Sequence, residues 1–225
     1  MPLRWGSVVA RLGVLVRAPS PYQDYPPRWA TYTSNIRVAG PGRLGFVCQI
    51  ADTNRFGARY RAAKCFRRID FEGVTQDTAD GYSALCHILL AYSAFEHFLK
   101  CVGIRKIATQ QLLTRDERDR IQSRVRSLNG QRELFMVLHS FVDKHHKAEI
   151  EKHISGNRCN PFYLASSIRH SFAHGLLSAT PARVPQRSVA TVSRYLTGVL
   201  MHVMDREFER RMTDFEAQQP LLVRN

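Results

Sequence analysis

Apolar side chains return along most of this chain at the alternating three-and-four spacing that marks one face of a helix. In residues 78–101, Tyr82, Leu85, Leu89, Tyr92 and Leu99 keep that rhythm and predict a packed inner helix. Thr114 and Glu117 form a capping box at the start of a second, mostly charged helix that stops near Asn129-Gly130. A third is predicted over residues 131–146, extending toward Ile154, with Leu134, Phe135, Leu138, Phe141 and Val142 turned inward. Residues 160–174 read as a fourth. Asn160 is a natural N-cap, Pro161 suits the first helical position, and Gly175 supplies the stop. Phe162, Ala165, Ile168 and Phe172 recur on its inner face. The last helix covers residues 188–215, with Val189, Val192, Leu196, Val199 and Val203 as its seam. This pattern predicts an all-α helical bundle.

The first 50 residues read differently. Six of the ten prolines (Pro2, Pro19, Pro21, Pro26, Pro27 and Pro41) lie there and exclude one continuous helix. Residues 44–50 are apolar enough for a short strand or a packed tail, and residues 52–68 return to helical spacing with Phe56, Tyr60, Ala63 and Phe66 on one face. The predicted organisation is a Pro-rich, basic, partly irregular N-terminal extension over residues 1–50, followed by a helical domain over residues 51–220. A chain of 225 residues can bury a proper core in one main domain.

Charge adds a partner. Thirty-three Lys+Arg against nineteen Asp+Glu give a formal net charge of +14. An excess of that size points to a polyanion, RNA or DNA first, or to an acidic protein. Arg55, Arg59, Arg61, Lys64, Arg67 and Arg68 surround the aromatic residues of the 52–68 helix. Basic and aromatic residues interleaved in this way suit RNA backbone contact and base stacking, and also an ordinary solvated face. The five cysteines are odd in number, widely spaced and without a CxxC pair. Neither a disulfide framework nor a zinc ribbon is indicated, and a reducing, cytoplasmic location fits. No run of eighteen apolar residues occurs, so no membrane span is expected, and Arg11 interrupts the apolar run at residues 7–16 that resembles a signal peptide.

The chemistry concentrates in Arg169-His170-Ser171-Phe172-Ala173-His174-Gly175. Arginine holds phosphate through a planar, permanently charged fork, and imidazoles move protons near neutral pH. Those are the tools for cutting a phosphodiester without a metal. They also fit simple cationic decoration of a helix C-terminus. Arg169, four intervening residues and His174 resemble the Arg-x4-6-His signature of the HEPN superfamily. That resemblance implies a helical domain, a metal-independent ribonuclease and an active site formed where two motif helices meet in a homodimer. It further implies toxin- or defence-type use restrained by an inhibitory partner protein. The position after the arginine, often Asn or Asp in the family, is His170 here.

Glu96 continues the Tyr82–Tyr92 seam by one step, where a carboxylate requires a partner, and Arg169 is the expected one. At the edge of the seam it would instead reach water. His145, His146, His153 and Cys159 lie within fifteen positions but match no familiar zinc spacing, and they read as histidines on a solvated charged helix. No phosphate-binding loop, HExxH or GxSxG motif is present. The sequence therefore predicts a metal-independent endoribonuclease of the HEPN type, leaving a 2′,3′-cyclic phosphate and needing no cofactor. Arg169, His170, His174 and Glu96 form its candidate site. The alternative is a catalytically silent helical module that binds RNA or a protein.

Overall fold

The computed structural model describes residues 21–222, and all regular structure among them is helical. In chain order the helices are α1 (Trp29–Arg43), α2 (Ile50–Cys65), α3 (Gln76–Val102), the 3-10 turn Lys106–Leu112, α4 (Arg115–Arg126), α5 (Gln131–His139), α6 (Lys144–Ile154), α7 (Pro161–Ala173) and α8 (Ser188–Leu222). The predicted punctuation is in place. The Thr114 side chain accepts from the Glu117 N–H while the Glu117 carboxylate accepts from the Thr114 N–H, closing the capping box.

Helix α3 is the axis of the molecule. It packs along most of its length against α2 and α8, with α7 on a third side. Burial on several faces explains why the predicted seam is only half right. Leu85 and Tyr92 are buried as expected, but Ile88, Phe95 and Phe98 join them, and Leu89 is only half-buried. By length and composition α3 is apolar enough to cross a membrane; just over half of its apolar window is buried within the protein. An inner helix enclosed on three sides needs that composition. Glu96 and Lys100, four residues apart, mark the strip left open to water.

The N-terminal region departs from expectation. Pro26 and Pro27 precede α1, and Pro41 lies inside it, directly after the break at Gly40, where φ is 76°. Trp29, Tyr32, Leu44 and Phe46 enter the same core as Phe56, Phe98 and Phe208. The Trp29 ring stacks on Phe208 at 5.2 Å and tilts against Tyr32 at 4.7 Å. Core packing therefore continues across residue 50, and residues 44–49 form a connection with no strand, in which Leu44 and Phe46 are buried and Val47 is exposed. The irregular reading of residues 1–20, including Pro2 and Pro19, lies outside the described residues. The predicted third helix is also divided. After α5 the chain turns through residues 140–143, and Asp143 caps α6 by accepting from the His145 and His146 N–H groups. Phe141, expected inside, is largely exposed at that turn.

Candidate active site

Helix α7 is fixed at both ends. The Asn160 side chain accepts from the Phe162 N–H at 3.1 Å and donates to Thr109 Oγ1 at 2.9 Å. At the other end Gly175 takes a φ of 70°, the Leu176 N–H donates to the Ser171 carbonyl, and the Gly175 N–H donates to the Phe172 carbonyl. That is a Schellman motif, which needs a residue without a Cβ at this left-handed position. Between the caps, Phe162, Leu164, Ala165 and Ile168 are buried, and Phe162 stacks on Phe95 of α3 at 4.8 Å. This packing sets the direction of the polar residues in the last two turns.

Arg169 turns toward α3. Its Nη2 lies 3.2 Å from Glu96 Oε2, and its guanidinium stands 5.9 Å from the centre of the Tyr92 ring. The pairing predicted from sequence is present, but at the surface: the side chains are 30% and 42% exposed. The edge reading of Glu96 is the correct one, because α3 is buried on so many sides that its apolar period no longer points one way. Arg169 Nε is shielded from water with no hydrogen-bond partner among the described residues. His170 and His174, four residues apart, place their ring centres 4.4 Å from each other. Half-burial, reinforced by neighbouring His174, holds the His170 imidazole below its ordinary pKa. His174 is exposed at the helix end.

Sequence reasoning missed the groups behind this pair. The His146 ring lies at 26° to that of His170 with centres 6.2 Å apart and is almost fully buried. Its Nδ1 faces Asp143 Oδ2 at 2.8 Å, and its Nε2 meets Ser166 Oγ at 2.9 Å. Lys106, at the start of the 3-10 turn, donates to Ser166 Oγ at 2.7 Å and approaches His146 Nε2 at 3.2 Å. Burial pushes both the His146 and Lys106 pKa values down. Desolvation works against Asp143, yet its bonds from the His146 ring and backbone hold its carboxyl well below the usual range.

The solvated reading of the histidine cluster is thereby corrected. His146 and His153 are buried, His153 beside Gln131 and Phe135, while Cys159 bonds with Gln122 and His145 is exposed. These four residues do not converge, and no group of three metal-ligating side chains forms among the described residues. Only Asp143, as an N-cap at a predicted helix interior, offered a sequence signal for the break that turns His146 inward.

The four cations of α2, Arg55, Arg59, Arg61 and Lys64, and the two that follow it, Arg67 and Arg68, are all exposed. Several have local partners: Arg68 pairs with Asp70 at 2.7 Å, Arg55 lies 3.5 Å from Asp52, and Arg61 covers the Tyr25 ring at 4.9 Å. The intervening aromatics do not join them. Phe56 and Tyr60 are fully buried, and Phe66 leans on the His87 ring. Helix α2 thus presents charge without a stacking platform. A cavity of about 520 Å³ between α4 and α8, lined by Leu113, Ile121, Tyr195 and Val199 with Arg120 and Arg194 at its edges, shares no residue with the motif cluster. Comparison with protein-family models, with curated proteins and with solved structures gave no match to this chain.

Proposed function

We propose that the protein is a metal-independent endoribonuclease whose active site is built on the last two turns of α7. The observation that carries this reading is the imidazole pair: His170 and His174 touch within one chain, beside an arginine with an unsatisfied N–H. In-line phosphodiester cleavage needs a base for the ribose 2′-hydroxyl, an acid for the departing 5′-oxygen and a cation for the charge that builds on phosphorus. His170, whose lowered pKa favours the neutral ring, takes the 2′-proton. The 2′-oxygen then bonds to phosphorus as the bond to the 5′-oxygen breaks, and His174 gives that oxygen its proton. The products are a 2′,3′-cyclic phosphate and a 5′-hydroxyl. Arg169 binds the non-bridging oxygens through its fork, and Glu96 restrains it from the α3 side.

The likeness of Arg169-x4-His174 to the HEPN signature supports the same chemistry, and the +14 charge supports a polyanionic substrate. The likeness also carries a homodimer joined near the motif helices and an inhibitory partner in a toxin- or defence-type role. The test is the purified protein on a defined RNA in excess EDTA, beside its Arg169→Ala and His174→Ala variants and a DNA version of the substrate. Cleavage of the RNA alone, with cyclic phosphate ends and a loss of roughly 10²–10⁴-fold in His174→Ala, is expected. Binding without cutting would favour the silent RNA-binding module.

A further inference from the structure

The polar cluster behind the imidazoles leaves one of its members, Lys106, with donor capacity to spare. Asp143 accepts hydrogen bonds only, so the proton on His146 sits on Nδ1 and its Nε2 presents a lone pair. The Ser166 hydroxyl accepts one N–H donor of Lys106 and shares that lone pair with a second, so Ser166 and His146 engage at most two of the three donors of Lys106. No acceptor among the described residues takes the third. The ammonium also stands 5.2 Å from the centre of the Tyr163 ring and 5.8 Å from that of Tyr92, the ring that carries Arg169. Two cations therefore flank one aromatic ring, with Glu96 and Asp143 as the carboxylates in electrostatic reach of Lys106.

The Ser166–His146–Asp143 geometry imitates a hydrolytic triad but is not one. Ser166 is 3% exposed and lies inside a continuous helix. The neighbouring backbone N–H groups are spent on the helical ladder, so no oxyanion site exists beside it. The cluster does something else: it holds a half-buried ammonium in a fixed place next to Arg169.

We infer that Lys106 is a second phosphate-binding cation of this site, gripping an RNA phosphate adjacent to the one held by Arg169. This rests on the reading of the motif cluster as an RNA site. A strongly hydrated point charge on a flexible stem gains by being fixed before the ligand arrives, and Ser166 and His146 fix it. Partial burial removes water from the Lys106 ammonium and lowers its pKa, and a phosphate oxygen would replace part of that lost solvation.

The experiment measures binding of a 2′-O-methyl oligonucleotide, which lacks the attacking hydroxyl, over a range of salt concentrations. Lys106→Met should weaken binding and reduce the slope of log affinity against log salt by about 0.7, the value of one single-strand phosphate contact. Lys106→Arg should keep the slope. In the unaltered protein, the bound oligonucleotide should protect Lys106 from acetylation, a readout that does not depend on the variant folding. An unchanged slope in folded Lys106→Met, or acetylation of Lys106 at the same rate with and without oligonucleotide, would overturn the inference. Cleavage of the matching ribo-oligonucleotide is scored separately. Cutting with an unchanged slope sinks Lys106 alone, and a lost slope without cutting sinks the ribonuclease and leaves Lys106 as a binding residue.

Discussion

Arg169 and Glu96 show how exposure decides the worth of a contact. A buried pair broken by removing one partner costs roughly 3–5 kcal/mol, but exposed pairs are worth about 0–1 kcal/mol because water and salt screen them. With both side chains open to solvent, Glu96→Ala should change unfolding free energy by less than about 1 kcal/mol in urea denaturation. A loss near 3 kcal/mol would contradict the surface geometry. The motif residues were legible because Arg169, His170 and His174 are close in sequence and on one helix. Lys106 and Ser166 were not, since sixty residues separate them and only the tertiary fold makes them neighbours. His146 was misjudged for the same reason. Its burial depends on a chain break that the surrounding charged residues conceal.

Among the elements, those with chemical punctuation were readable: the Thr114–Glu117 box, the Asn160 cap and the Gly175 stop all stand where expected. Helix α1 was not, because Pro26 and Pro27 stand just before it and the Gly40-Pro41 kink inside it resembles a loop. Its docking can be tested through Gly57 of α2, where an added Cβ would come 2.5 Å from the Trp29 ring. Gly57→Ala should therefore destabilise by roughly 1–3 kcal/mol through overpacking, and a stabilising result would show that α1 does not sit there. Helices α5 and α6 share a second testable feature in His153, whose pKa burial, aided by Arg126, depresses to about 4 from 6.5. A folded-state value below the unfolded one means the unfolded chain binds the extra proton. Its contribution is then fully present above about pH 6.5 and is lost as pH falls through about 4. His153→Leu should flatten the fall in urea midpoint between pH 7 and pH 4, a change of about 3 kcal/mol at most. An equal fall in both proteins would refute this role.

For the molecule as a whole, charge and assembly set the remaining expectations. The exposed cations on and just after α2 suit phosphate contacts but no base stacking, so replacing Arg55, Lys64 and Arg67 by Gln should weaken RNA binding alike for all sequences and leave the fold intact. The proposed homodimer places two copies of α7 about a two-fold axis. His170 beside His174 gives each chain both a base and an acid, so what the proposed two-fold cleft would add is a second arginine and not a second imidazole. Mixed Arg169→Ala and His174→Ala chains should show activity above either parent if the subunits exchange. A strictly monomeric protein that cuts at full rate would remove the dimer and leave the imidazole pair sufficient. The central claim is tested most directly by incubating the unaltered protein with RNA in excess EDTA and identifying the new ends. The account predicts 2′,3′-cyclic phosphate and 5′-hydroxyl termini, formed far more slowly with Arg169→Ala and His174→Ala; intact RNA, or cutting at the unaltered rate after either substitution, would contradict it.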